Sequence, residues 1–294
     1  MFGAKTMKRR HLLAGLAASA AVQPFSAHAQ FNLGNLINSA VQVASSMAAG
    51  EGDEIKMGEQ YYAPTLQKSG GAYNDRNAQD ALRRFAQPLM AASDRKSLPW
   101  EITLVNSKEV NAWAMPGGKM AINSALISYC QHPDELAAVI SHEIGHVDNA
   151  HGLAQIRNQS LVTSVGELGN QALSGWMGGN PLAGEALKAL EAPLYGMILN
   201  GYSRTHEYEA DAHILSMFDR VGRDPSRASN FFHTLMRLYP DNSNQTTSLF
   251  STHPGTQDRI ARIEDAASRM TKPSREAESS GWNQLKEFFP SQRG

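Results

Sequence analysis

A chain of 294 residues with 41% hydrophobic and 19% charged residues can bury one good core or two small ones, which excludes a disordered chain and a membrane bundle alike. Its 27 basic and 28 acidic residues nearly cancel, and no basic patch is interleaved with aromatics, so nucleic acid is not an expected partner. The single cysteine, Cys130, excludes an intramolecular disulfide and reads as a small buried apolar residue.

The first 29 residues stand apart. They carry Lys5, Lys8, Arg9 and Arg10 with no acid, then an apolar run from Leu12 to Val22, then Pro24 and the small-x-small pattern Ala27-His28-Ala29. That order is the order of a secretory signal peptide. The apolar run is far short of the ~20 residues that cross a bilayer, so no integral membrane span is expected and the periplasm is the expected destination. Arg9-Arg10-His11-Leu12-Leu13 also resembles a twin-arginine export signal. No cysteine lies in this region, so a lipid-anchored N-terminus is not expected. Removing residues 1–29 takes away four bases, leaving 23 against 28 acids and a net charge of −5.

Residues 30–52, rich in Asn, Ser, Ala and Gly, read as a flexible lead-in. One domain is expected over 53–270, followed by a polar tail over 271–294 with a Trp282, Leu285, Phe288 and Phe289 patch. Within the domain, helices are expected over 53–66 and 77–93, the second kinked or cut short by Pro88. Strand character follows at Trp100–Val105, Val110–Met115 and Met120–Ile122, with Pro116-Gly117-Gly118 as a turn, which predicts a small antiparallel unit of about three strands. Helices then dominate. One starts near Asp134 and reaches about His151, with Leu136, Val139, Ile140, Ile144 and Val147 at helical spacing. Residues 166–181 hold five glycines and a proline and read as a loop, and a further helix is expected near Leu182. Helices are expected again over 203–221, closed by Gly222, over 225–239, and over 254–270.

His142-Glu143-Ile144-Gly145-His146 is an HExxH motif inside the 134–151 helix. The i, i+4 spacing stacks two imidazoles on one face, which suits two ligands of one metal. Glu143 lies about 100° round the helix, displaced toward the open coordination position where a water would be activated. The third ligand must come from elsewhere. A metzincin would place glycine and histidine where Asn149 and Gly152 stand, and His151 falls one position short. A thermolysin-like spacing reaches Glu167, which lies in the glycine-rich stretch. Glu207, in Ser203-Arg204-Thr205-His206-Glu207-Tyr208-Glu209-Ala210-Asp211, is the better candidate: it shares a helix face with Asp211, so one of the two can bind metal while the other orients a ligand histidine through the free ring N–H.

Four segments together resemble the metallopeptidase family that includes HtpX, OMA-type proteases and the CaaX prenyl endopeptidases. They are Asn111-Ala112 through Pro116-Gly117-Gly118, then Asp134-Glu135-Leu136-Ala137 leading into the HExxH motif. Ser203-Arg204 with Glu207, Ala210 and Asp211 follows, and last comes Thr252-His253-Pro254 before Arg259-Ile260. The resemblance implies an α+β, mostly α-helical, zincin-like domain with a small antiparallel sheet beside the HExxH helix. It also implies a zinc metalloendopeptidase holding one Zn²⁺ through His142, His146 and Glu207, with Glu143 as catalytic base and Asp211 in support. Such a protein is expected to cleave unfolded or misassembled envelope proteins in protein quality control. The alternative is a chaperone or assembly factor for outer-membrane proteins, with proteolysis secondary and the assembly machinery as partner. The sequence departs from the integral-membrane members in lacking long apolar spans, and from some soluble members in lacking a helical-repeat C-terminal domain. Oxyanion donors are sought among His253, Arg204 and Tyr208. His253 has two further readings: a latency plug in the fourth metal position, as in some relatives, or a locally packed helix-start residue.

Overall fold

The computed structural model describes residues 50–156, 201–239, 249–253, 257–274, 277 and 279–292. The signal segment, nearly all of the lead-in, the glycine-rich stretch with Glu167 and the helix expected near Leu182 lie outside the described residues. The first helix, α1 (Glu51–Lys68), begins with three acids in its first turn, and Asp53 accepts a hydrogen bond from the Gly50 N–H at 3.2 Å. Acids there face the positive end of the helix dipole. α2 (Arg76–Ala91) is capped by Asp75, whose side chain accepts from the Ala78 N–H. It runs a turn past Pro88, burying Leu82, Phe85 and Leu89 on one face.

Three strands follow: β1 (Glu101–Val105), β2 (Ala112–Met115) and β3 (Lys119–Asn123). The turn Pro116-Gly117-Gly118 places both glycines at positive φ and pairs β2 with β3 as an antiparallel hairpin. β1, however, joins the other edge of β3 and runs parallel to it, so the order is β1-β3-β2. The α+β, mostly helical architecture is as the sequence reads, but the sheet is mixed rather than antiparallel throughout. The reason is connectivity: residues 106–111 carry the chain across to the far edge before β2 begins, so sequence neighbours β1 and β2 are not paired.

Both faces of this sheet are covered, which is why nearly every strand residue is buried. Trp113, Met115, Ala121 and Val105 meet Met57, Tyr61 and Tyr62 of α1. Ile102, Leu104, Ala112, Ala114, Met120 and Ile122 point the other way, into the main core with α2 and the later helices. The alternation is the period-two pattern of a pleated strand.

After the short α3 (Ser124–Tyr129) comes α4 (Pro133–Asp148), the HExxH helix. Its cap is His132, whose Nδ1 accepts from the Asp134 N–H, with Pro133 opening the helix; Asp134 stands two positions past the cap and pairs with Arg223 at 2.5 Å instead. α4 is buried on all sides. α5 (Arg204–Val221) is capped by Ser203 and closed by Gly222 at φ +70°, as expected. The two helices pack so closely that a Cβ on Gly145 would lie 2.9 Å from the His213 Cβ and 3.1 Å from the Ala210 Cα. Glycine is what allows this approach. α6 (Asn230–Leu238), α7 (Leu249–Thr252) and α8 (Gln257–Ser268) complete the main body.

The segment read as a polar tail carries α9 (Trp282–Phe288), docked on α2. Leu285 is fully buried, Trp282 packs beside Phe85, and Phe289 meets Tyr73 edge-on. Lys286 donates to the carbonyls of Ile127 and Cys130 at the end of α3. The aromatic patch is therefore part of the core. Leu285→Ala is expected to cost about 2–5 kcal/mol in urea unfolding; a change below about 0.5 kcal/mol would show α9 to be a loosely held appendage.

Candidate metal centre

α4 presents His142 and His146 one turn apart toward α5, which answers with Glu207 from its first turn. His253, just after α7, closes the group. All four are buried, and one ligand atom from each lies within 4.8 Å of the others. The separations are 3.1 Å between the two HExxH Nε2 atoms, 3.2 Å from His142 Nε2 to His253 Nδ1, and 3.1 Å from His253 Nδ1 to Glu207 Oε1. His142 and His146 stand 3.4 and 3.5 Å from the Glu207 carboxylate. Bonds of about 2.0–2.1 Å at tetrahedral angles put donor atoms roughly 3.3 Å apart. The observed spread of 3.1–3.5 Å brackets that spacing. The donor set, two or three imidazoles with one carboxylate, is the chemistry that suits zinc.

Glu143 projects beside the cluster. It is fully buried, and neither carboxylate oxygen has a hydrogen-bond partner, though His253 Nε2 stands 3.3 Å from Oε1. Burial raises its pKa, against the opposing pull of His253 and His142. A buried carboxyl with a raised pKa is poised to take up a proton.

The electrostatics of the other groups follow from their neighbours. Burial acts to lower the His142 pKa, but Asp211 and Glu207 outweigh it and raise it to about 9. His146 is pushed well below its ordinary value, first by burial and then by the charge on His142. Burial acts to raise Glu207 and Asp211; His253 and His142 hold Glu207 well below the usual carboxylate range, and Arg259 and His142 do the same for Asp211 more mildly.

Asp211 sits where the sequence placed it, one turn after Glu207, with Oδ1 3.1 Å from His142 Nδ1. Its partner on the other side is not evident from local spacing. Arg259, on α8 and 1% exposed, grips Asp211 through Nε at 2.7 Å and Nη2 at 2.6 Å. Through Nη1 it reaches Glu207 at 2.6 Å and the His253 carbonyl at 3.2 Å. One guanidinium thus ties together the helix of Glu207 and the segment of His253. A signal was present: Arg259 lies one turn before Ile263 on the apolar stripe of α8, where a charge needs a buried partner.

Arg204 and Tyr208 are not brought to the cluster. Arg204 is exposed, and the Tyr208 hydroxyl donates outward to Asp258 at 2.6 Å. Of the three oxyanion candidates only His253 lies at the site. Tyr202 does as well, its ring stacked on that of His146 with centroids 3.9 Å apart and 15° between planes.

A second group among the described residues, Asp94, Asp148 and His213, has metal-ligand spacing. Its donors are already committed. Asp148 accepts from Ser93 Oγ and the N–H groups of Asp94 and Arg95 and faces His213 at 3.0 Å, while Asp94 pairs with Arg220 at 2.6 Å.

The family model that matches this chain is that of peptidase family M48, over residues 76–267. The chain belongs to peptidase family M48. The match runs from α2 to α8 and includes every residue of the cluster together with Asp211 and Arg259. The chain is 30% identical over 224 residues to the "Beta-barrel assembly-enhancing protease" of Escherichia coli K12, covering 74% of this chain and 45% of that protein. The protein of the same name from Yersinia pestis is 29% identical over 234 residues, covering 77% and 46% respectively. The "Mitochondrial metalloendopeptidase OMA1" of Schizosaccharomyces pombe is 28% identical over 182 residues, covering 62% and 51%. The chain therefore spans about half the length of the curated relatives it matches. Within the M48 domain, no helix among the described residues is long and apolar enough to cross a membrane.

Arg259→Met strands two buried carboxylates without their cation, and the metal-free protein is expected to lose about 3–5 kcal/mol in urea unfolding. Excess zinc should recover part of that loss. A cost below about 1 kcal/mol would show that Arg259 does not hold these charges.

Proposed function

We propose that the chain is an exported zinc metalloendopeptidase acting on unfolded or misassembled envelope proteins, with His142, His146 and Glu207 as ligands and Glu143 as base. One observation carries the reading: donor atoms from three separate stretches of chain converge within 4.8 Å, all buried, beside a carboxylate with no hydrogen-bond partner. When bound, zinc supplies Lewis-acid polarisation of the scissile carbonyl and lowers the pKa of water. The rest falls to the chain. Glu143 takes the proton of the attacking water into a site where burial already favours the protonated carboxyl, then returns it to the leaving amine. Asp211, clamped by Arg259, fixes the His142 ring so that Nε2 faces the cluster.

Substrate backbone would pair with the edge strand β2 as an added strand. β3, with Met120–Ile122, cannot serve in this way, because it is central and both its sides are paired. An extended peptide suits this mode better than a folded protein.

In the described arrangement His253 supplies a fourth donor and its Nε2 faces Glu143. Its segment is held to the start of the edge: the Leu249 N–H donates to Val110 O at 2.9 Å and Thr252 Oγ1 donates to Asn111 Oδ1 at 3.2 Å. This favours the latency-plug reading, since one segment offers the fourth donor, confronts the base and adjoins the strand edge a substrate would use.

The name of the relatives, beta-barrel assembly-enhancing protease, favours a second reading, in which the chain assists outer-membrane protein assembly and proteolysis is secondary. Glu143→Gln separates the two, since an assembly phenotype should survive it and a protease phenotype should vanish.

Purified protein is expected to carry one zinc per chain and to cleave casein. Glu143→Gln should retain the metal and lose at least about 100-fold in rate, while Glu207→Ala should lose the metal. Unchanged zinc content in Glu207→Ala, or equal cleavage of casein and of a tightly folded loop-free protein, would refute the corresponding part of the reading. His253→Ala is expected to raise peptidase activity; unchanged or reduced activity would instead assign His253 to oxyanion binding or packing.

A further inference from the structure

The proposed ligands His142 and His146 differ in what stands behind them. Behind His142 is Asp211, gripped by Arg259. Behind His146 there is another imidazole. α4 stops at Asp148, the Asn149 side chain donates to the Gly145 carbonyl, and Ala150 takes the left-handed conformation at φ +52°. That reversal turns the next residue back under the helix it has just left. His151 is thereby buried, with Nδ1 2.9 Å from His146 Nδ1 and Nε2 2.8 Å from Glu209 Oε2.

We propose that His151 is a positioning residue for the metal centre, forming with Glu209 a relay that fixes the ring of His146. The proposal rests on His146 being a metal ligand through Nε2. Granted that, every proton in the chain has one place. Nε2 of His146 faces the cluster, 3.1 Å from His142 Nε2, so the neutral ring carries its proton on Nδ1. That N–H donates to Nδ1 of His151, which must therefore be bare. The proton of His151 then sits on Nε2, where Glu209 accepts it. The carboxylate–histidine arrangement that commonly supports a metal ligand is present here with one imidazole interposed.

Stacking holds both rings in plane for this. Tyr202 lies on His146 at 3.9 Å and His206 on His151 at 4.2 Å, each with 15° between planes. The same geometry excludes His151 as a ligand itself, because its two ring nitrogens are engaged by His146 and Glu209 rather than aimed at the donor cluster. Glu209 is half exposed, so it contributes less than the buried Asp211 does.

The test uses the full chain and zinc itself, with affinity read by competition against a chromophoric chelator and folding checked by circular dichroism. His151→Phe, which removes the acceptor, is expected to bind zinc 10- to 100-fold more weakly, as for loss of other outer-shell partners (about this range). His151→Asn, which keeps a side-chain oxygen near the Nδ1 position, should recover most of the affinity, and Glu209→Gln should lose less than about tenfold. Nitrogen-15 spectra of the zinc-loaded wild type should show His151 protonated on Nε2 and His146 on Nδ1. A proton on Nδ1 of His151, or folded His151→Phe within about twofold of wild type, overturns the proposal while leaving the metal reading intact. A wild-type chain that takes up no zinc overturns both.

Discussion

Three carboxylates, those of Glu143, Glu207 and Asp211, are buried within one cluster, and their charge is the constraint around which the rest is arranged. Uncompensated, such a group would be too costly to fold. Arg259 meets part of the demand with a guanidinium that touches both Glu207 and Asp211. In the metal-free state His142 meets another part, since its raised pKa leaves it protonated at neutral pH. A divalent ion would take over from the His142 proton, so occupancy by metal and occupancy by proton are alternatives at the same place. Glu143 alone is left with a pKa above its ordinary value, and the least compensated carboxyl is the one whose proposed task is to bind and release a proton.

Holding these charges together requires the helices to approach closely. α4 is buried all round, sandwiched between the sheet with α2 on one side and α5 with α6 on the other. Its apolar residues anchor it there, and Gly145 removes the one side chain that would hold α5 away from the histidines. The glycine inside the motif is thus a packing requirement as much as the histidines are a chemical one. α9, wedged against α2 and α3, supports the same core from behind.

What could be read from the sequence was whatever depends on local spacing. The relation of His142, Glu143 and His146 is legible because one turn of helix fixes it; Glu207 and Asp211 share a face by the same rule, but alone they read as a solvated acidic face and stand out only beside the HExxH motif and the family resemblance. Gly222 as a helix stop and Ile102 with Leu104 on one strand face are legible for the same reason. Arg259 was not, because its role exists only once α8 is laid across α5, although its place on an apolar stripe hinted at a buried partner. His151 was weighed as a ligand by counting residues, and its actual placement depends on the reversal at Ala150, a left-handed alanine that no propensity would suggest. The parallel pairing of β1 failed for a kindred reason: alternation shows that a strand exists and which face is buried, but not which neighbour it takes.

The segment from Leu249 to His253 joins these themes. It docks at the mouth of β2 through two hydrogen bonds, one backbone and one side chain, and both are of the modest kind that exchange with water or a peptide at little net cost. Its histidine, by contrast, is fixed by contacts to Glu207 and Glu143 and by the grip of Arg259 on its carbonyl. A peptide competing for the strand edge would have to lift Leu249, which is buried in the main core, as well as break these hydrogen bonds. The histidine would follow only if a metal-bound site favoured the substrate over a fourth imidazole. The proposed latency would then be a difference between two occupants of neighbouring backbone, and an extended chain offering several backbone groups at once would have the advantage over a folded one that can offer none.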